Sequence, residues 1–301
     1  MITTAYKKQV ALLLSVLPEV GKEECFALHG GTAINLFVRE MPRLSVDIDL
    51  TYVPIEDRIT SIAGINDALS RVKTNLEKAL PDVSVIEQRE KGKLQISRAG
   101  VKIKLEVNLV GRGTLGSCPE MPLCRKAQEE FDAFCAVRIV PFEQLYGGKI
   151  CAALDRQHPR DLFDVKYLLE NEGFTERIKR GFIYSLLGSD RPLHEIIIPN
   201  FQDQRSALEN HFAGMSSEEF TYEEYESERL KLVEAIRGNL NGEDKRFLIS
   251  FCSLEPDWNV YDFKGYPSVE WKLRNLQKLK ELNLRKFEQQ IEHLKETLSR
   301  F

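Results

Sequence analysis

Two aspartates interrupt an otherwise apolar run, Ser45-Val46-Asp47-Ile48-Asp49-Leu50. The alternation reads as a β-strand, on which side chains two apart project to the same side, so Asp47 and Asp49 stand together. Neighbouring carboxylates repel each other and lose hydration unless a cation binds between them. Mg²⁺ suits such a place, because it takes one or two carboxylates and fills the rest of its shell with water and substrate phosphates. Upstream, Gly30-Gly31-Thr32-Ala33 reads as a tight turn opening a helix, and backbone N–H groups at a helix start receive phosphate. Together the two segments point to a site for a metal-bound nucleoside triphosphate.

The rest of the chain narrows this. Its 301 residues suit one large domain or two ordinary ones, and 43% hydrophobic residues are enough for a sizeable core. A net charge of −4 gives no general attraction to nucleic acid, so any such binding needs a local basic surface. The six cysteines (Cys25, Cys118, Cys124, Cys135, Cys151 and Cys252) show neither CxxC spacing nor a disulfide framework, which fits a reducing, cytoplasmic setting. The apolar run at 10–17 is too short to span a membrane and reads as a buried helix.

Periodicity predicts an α+β protein: a mixed β-sheet flanked by helices over residues 1–140, then an all-helical domain over 141–301. Helices are expected at 5–17, 32–39 and 60–80, with Pro42 closing the second. Strands are expected at 25–28 and 46–53. A β-meander covers 83–88, 93–98 and 101–110, with Arg98-Ala99-Gly100 as its hairpin turn. Residues 111–128 read as a loop, and Val137–Val140 as a last short strand. Helices then follow at 142–156, 161–170, 175–188, 202–213, 221–238 and 243–253, with a leucine- and charge-patterned tail from Val269 to Leu298.

A third carboxylate for the metal site is expected at Glu106, on a strand face shared with Lys102, Lys104 and Asn108. The same face also reads as a solvated one, with Glu106 paired to Lys104. With Asp47, Asp49 and Glu106 as the metal-binding and catalytic acids, the chemistry is in-line displacement at the α-phosphate, assisted by two Mg²⁺ ions, with Glu106 helping to take the proton of the attacking hydroxyl. In the helical half, Lys149 lies in a run of small residues, followed by Asp155-Arg156-Gln157-His158-Pro159-Arg160-Asp161-Leu162-Phe163-Asp164. Asp161 and Asp164 lie one turn apart on one helix face. They read equally as an ion-pair network tying two helices or as a wall of the nucleotide pocket. Residues 271–301 carry eight Lys or Arg against four acids, a weak pointer to nucleic acid. No Walker A loop, Rossmann fingerprint or Ser-His-Asp arrangement is present in the pattern.

Taken together, Gly30-Gly31-Thr32-Ala33, Arg43-x-Ser45-x-Asp47-x-Asp49-Leu50, Glu106, Lys149 and Arg160-Asp161-x-x-Asp164 resemble the AbiEii/AbiGii toxin family of nucleotidyltransferases. Glu255-Pro256-Asp257-Trp258 and Trp271-Lys272-Leu273-x-Asn275-Leu276 are similar to that family's C-terminal end, so the likeness runs over about residues 25–280. The resemblance implies a DNA polymerase β-like nucleotidyltransferase core and a toxin with a cognate antitoxin. It further implies transfer of a nucleotide from a nucleoside triphosphate to RNA, foremost the tRNA 3′ end. It assigns the metal to Asp47 and Asp49. The family's nucleotide-contacting lysine maps onto Lys149 and its later catalytic acid onto Asp161, with Asp164 as the alternative; from the residues themselves, the nucleotide is expected at Gly30, Gly31, Thr32, Ser45, Lys149 and Asp164. A small-molecule or protein hydroxyl as acceptor, and a non-catalytic binding protein on the same fold, stand as the competing readings.

Overall fold

In a computed structural model, which describes residues 3–300, the chain divides into two compact units. One comprises Met1–Pro141 and Glu209–Glu219, the other Phe142–Leu208 and Phe220–Phe301.

The first unit contains α1 (Thr4–Gly21), β1 (Phe26–His29), α2 (Gly30–Ala33), β2 (Asp47–Tyr52), α3 (Arg58–Ala79), β3 (Ser84–Gln88), β4 (Lys93–Arg98), β5 (Val101–Val107), β6 (Glu120–Pro122), α4 (Arg125–Phe131) and β7 (Ala136–Arg138). Among the described residues, five strands form one mixed sheet in the order β1-β2-β5-β4-β3, in which only β2 and β5 run parallel. Strand alternation divides its residues cleanly. Leu28, Ile48, Leu50, Leu94, Ile96, Ile103 and Leu105 are buried, on the side where α1 and α3 pack with Leu13, Leu17, Ile65, Leu69 and Val72. The opposite face carries the polar residues.

α2 continues into a wider π-type turn over Ile34–Val38, so the expected helix ends before Pro42. The expected loop at 111–128 contains β6, which pairs with β7, and its end enters α4. A three-residue strand carrying a proline has too short a pattern to register as alternation. The segment 202–213, expected as a helix, is a short turn α9 (Arg205–Ala207) followed by a π-type turn (Leu208–Phe212). Beyond it the chain joins the first unit. Leu44 N donates to Met215 O at 2.7 Å and Ser216 Oγ to Pro42 O at 3.0 Å, which braces the stretch leading into β2.

The second unit is helical: α5 (Phe142–Asp155), α6 (Pro159–Asn171), α7 (Glu176–Leu187), α8 (Leu193–Ile197), α9, α10 (Tyr222–Asn239), α11 (Gly242–Cys252), α12 (Pro267–Leu282) and α13 (Leu284–Ser299). α5 and α7 cross almost backbone to backbone. A Cβ at Gly147 would run into the Gly181 carbonyl, and one at Gly181 into the Glu143 carbonyl. The small residues beside Lys149 therefore admit a neighbouring helix. The tail is split where Asn283, whose side chain accepts from Lys286 N, ends α12 and starts α13. No helix among the described residues is long and apolar enough to cross a membrane.

Candidate active site

The glycine turn is shaped by close approach. Gly30 has φ +70°, a conformation in which a side chain is strained, and a Cβ there would meet Asp49 Oδ2 at 2.6 Å. A Cβ at Gly31 would meet Arg43 Nη2 at 2.7 Å and Ser45 Oγ at 2.9 Å. Both glycines thus let the turn lie directly against the acidic strand. Thr32 Oγ1 donates to Asp47 O at 2.5 Å and sits 3.0 Å from Ser45 Oγ. These buried hydroxyls fasten the turn to the start of β2. Asn35 Nδ2 closes the turn onto Gly31 O at 2.9 Å.

Across the polar face of the sheet, the register places His29, Asp49, Glu106 and Lys93 in one row, on β1, β2, β5 and β4. Asp47 and Lys104 occupy the next row. His29 Nδ1 lies 3.2 Å from Thr51 Oγ1, so this imidazole has a local partner. Lys93 Nζ sits 2.5 Å from Glu106 Oε1, while Lys104 Nζ lies 3.3 Å from Glu106 Oε2 and 3.9 Å from Asp47 Oδ2. The side chains of Asp47, Lys104 and Glu106 keep 30, 42 and 36% of their surface in solvent, so the cluster is half-open.

Burial alone would lower the Lys104 ammonium, but Asp47, Glu106 and Asp49 outweigh it and hold its pKa above the ordinary lysine value. Burial would raise the Glu106 carboxyl, but Lys93 and Lys104 overcome it and keep it below the ordinary glutamate value. Lys104 therefore stands where its charge offsets the clustered acids.

The donor chemistry of Asp47 and Asp49 fits a hard divalent cation that completes its shell with phosphate oxygens. The space kept against Asp49 by the missing Cβ of Gly30 fits it too. Glu106 stands beside Asp49 on the neighbouring strand, with Lys93 on one of its oxygens and Lys104 on the other. Among the described residues no group of three His, Cys, Asp or Glu side chains is gathered for a metal ion.

In the second unit the structure brings Lys149, Asp161 and Asp164 together. Lys149 Nζ, on α5, lies 2.9 Å from Asp161 Oδ1 and 3.1 Å from Asp164 Oδ2, on α6. Arg156 Nε reaches Asp161 Oδ2 at 2.5 Å. The lysine and both aspartates are almost wholly buried. Burial pushes the Asp161 carboxyl up, yet Lys149 and Arg156 outweigh it and hold it well below the usual carboxylate range. Pro159 at the first turn of α6, and His158 Nδ1 accepting from Arg160 N at 3.1 Å, fix the start of the helix that carries both acids. The ion-pair network weighed from the sequence is thus formed.

The sequence profile of a family described as nucleotidyl transferase AbiEii toxin, type IV toxin–antitoxin system, matches residues 11–275. The chain belongs to the AbiEii family. This AbiEii protein is accordingly a nucleotidyltransferase and a toxin of a type IV toxin–antitoxin system. Among solved structures it is similar to MenT4, a nucleotidyltransferase toxin from Mycobacterium tuberculosis H37Rv, with a TM-score of 0.63 at 13% identity over 90% of this chain and 93% of that one. At that identity the likeness speaks for the mixed α+β fold. No protein of curated function matches the AbiEii chain in sequence.

Lys93 is the residue that motif reading missed. Its signal was present: the Ala99-Gly100 turn pairs Arg98 with Val101, and counting back along both strands sets Lys93 opposite Glu106.

Proposed function

We propose that this AbiEii toxin transfers a nucleoside monophosphate from a nucleoside triphosphate to RNA, with the tRNA 3′ end as the foremost acceptor, and so inhibits growth. The observation that supports it best is the pair Asp47 and Asp49 on one sheet face, with the Gly30 turn pressed against Asp49. Asp47 and Asp49 would hold Mg²⁺, two ions in the full site, which supplies charge neutralisation to the triphosphate.

The chain's own groups do the rest. Gly30, Gly31 and Thr32 present the turn's backbone to the phosphates, and Ser45 holds Thr32 in place. Lys104 turns from Asp47 to a phosphate oxygen, as a point charge. The acceptor hydroxyl oxygen bonds to the α-phosphorus, the bond to the β-phosphate oxygen breaks, and pyrophosphate leaves with that electron pair. With Lys104 turned to the phosphate, Oε2 of Glu106 is free to take the hydroxyl proton while Lys93 keeps Oε1. For Lys149 a role in nucleotide recognition requires an exchange, in which its Nζ trades one of its carboxylates for a phosphate oxygen. Asp161, or Asp164 in its place, is then the later acid.

The test is incubation with each of the four labelled triphosphates, Mg²⁺ and total RNA, and in parallel with protein and small hydroxyl acceptors. Label in RNA from the wild type and none from Asp49→Ala is the expected outcome. Label moving only to protein or small molecules would replace the RNA reading, and full effect from Asp49→Ala in cells would remove catalysis from the account. A DNA-binding protein encoded beside the toxin gene, able to relieve its effect, is the antitoxin expected in this reading.

A further inference from the structure

The proposed chemistry leaves one surface of the second unit unused. α12 and the segment after α11 enclose an open groove of about 850 Å³, lined on one side by Leu254, Pro256 and Trp258 and on the other by Leu273, Arg274 and Lys278. Leu254 has φ +69°, so the groove wall turns through a strained position. Trp258 is half-buried, held edge-on by Phe247 and Phe251 at centroid separations of 6.2 and 6.3 Å. The chain's other tryptophan, Trp271 on α12, lies outside the groove lining and stays 42% exposed, one turn before Arg274.

The charges are as distinctive. Lys264, Arg274, Lys278, Lys280, Arg285 and Lys286 are all exposed. Unlike Lys93, Lys104, Lys149, Lys166, Lys179 and Lys231, each of which has an ion pair, none of these cations is paired with a carboxylate among the described residues. Three of them, Lys264, Arg274 and Lys278, line the groove together with Glu270 and Glu281, which leaves the lining one net positive charge in a chain of net charge −4.

We infer that this groove binds a single-stranded segment of the acceptor RNA, phosphates on the α12 cations and an unstacked base against Trp258. The inference rests on the reading of RNA as acceptor. Unpaired cations beside an aromatic face are the two elements that single-strand binding combines, one for the backbone and one for the bases. An acidic peptide would use the cations and leave the aromatics idle. A duplex keeps its base faces stacked inside and would gain nothing from Trp258.

The experiment measures fluorescence anisotropy of a labelled single-stranded RNA oligonucleotide against the full chain over a salt series, beside transfer activity. Arg274→Glu with Lys278→Glu, both on exposed positions, is expected to weaken binding roughly 10- to 100-fold and to flatten the salt dependence by about one to two phosphate contacts. Trp258→Leu is expected to lose about 10-fold, and Trp258→Phe, which keeps an aromatic face, to recover most of it. Asp49→Asn is expected to bind RNA as the wild type does.

An unchanged affinity and salt slope in the folded charge-reversal variant overturns the groove, and so does equal displacement of the RNA by poly-glutamate with no effect of Trp258→Leu. The two readings fail separately. RNA binding that depends on the groove without any transfer to RNA removes the proposed acceptor and leaves the groove. Transfer to RNA that ignores the groove variants does the reverse.

Discussion

Lysine meets clustered carboxylates in both units of this chain, and the two clusters differ in what surrounds them. On the sheet face, Lys104 lies 3.3 Å from Glu106 and 3.9 Å from Asp47, with close to half its side chain in water. Between α5 and α6, Lys149 lies 2.9 and 3.1 Å from Asp161 and Asp164 with nearly none. In water a long ion pair contributes little and is readily exchanged for a ligand. In a dry interior, removing one partner strands the charge of the other, so the arrangement is locked. The same residue types therefore make a rearrangeable site in one unit and a fastening in the other.

The contrast breaks most visibly on activity. Asp47→Asn is expected to lower nucleotide transfer at least ~100-fold, by removing charge that acts on the phosphates, while its unfolding free energy from urea titration stays within about 0.5 kcal/mol of wild type. Retained transfer in that variant, by labelled-nucleotide assay, would make the open cluster as inert as any surface. Lys149→Met is the reciprocal case. It leaves two buried carboxylates facing each other and is expected to cost about 3–5 kcal/mol in urea unfolding. A cost under about 1 kcal/mol would show the buried network to be dispensable to the fold.

The pH dependence sharpens the same point. Asp161 has its folded pKa depressed, so its contribution is present above the unfolded carboxylate range and is lost as pH falls below about 4. Thermal melts should drop over that range in wild type and show a flatter acid limb in Asp161→Asn, which starts lower at neutral pH. The smallest effect belongs to Lys104→Met. With the competing ammonium gone, Mn²⁺ titrated calorimetrically into the nucleotide-free protein should bind about 10-fold more tightly, in keeping with one removed charge near 4 Å in a wet site. Weaker binding would show that Lys104 organises the acids instead of competing with the metal.

Much of this was written in local pattern. The Asp-x-Asp strand, the glycine turn before it, the meander and the helices at 142–156, 175–188 and 221–238 all follow from periodicity and turn chemistry, and they stand close to where they were expected. The strand at 120–122 and the return of Glu209–Glu219 to the first unit did not show, because their partners, Ala136–Arg138 and Pro42–Leu44, are distant in sequence. For Glu106 the sequence suggested a pairing with Lys104, while the contact from Lys93, on the neighbouring strand β4, came only with the packed sheet.

By itself the sequence determined that Asp47 and Asp49 share one side of a strand, and that two glycines precede them, since a two-residue period and a tight turn are properties of neighbouring residues. Only the tertiary structure decided that β5 lies beside β2, which sets Lys104 against Asp47 and Glu106 against Asp49, and that Lys149 is buried between two aspartates. Strand order and helix contact depend on how distant segments share one core, so which charge faces which acid becomes readable only once the chain is packed.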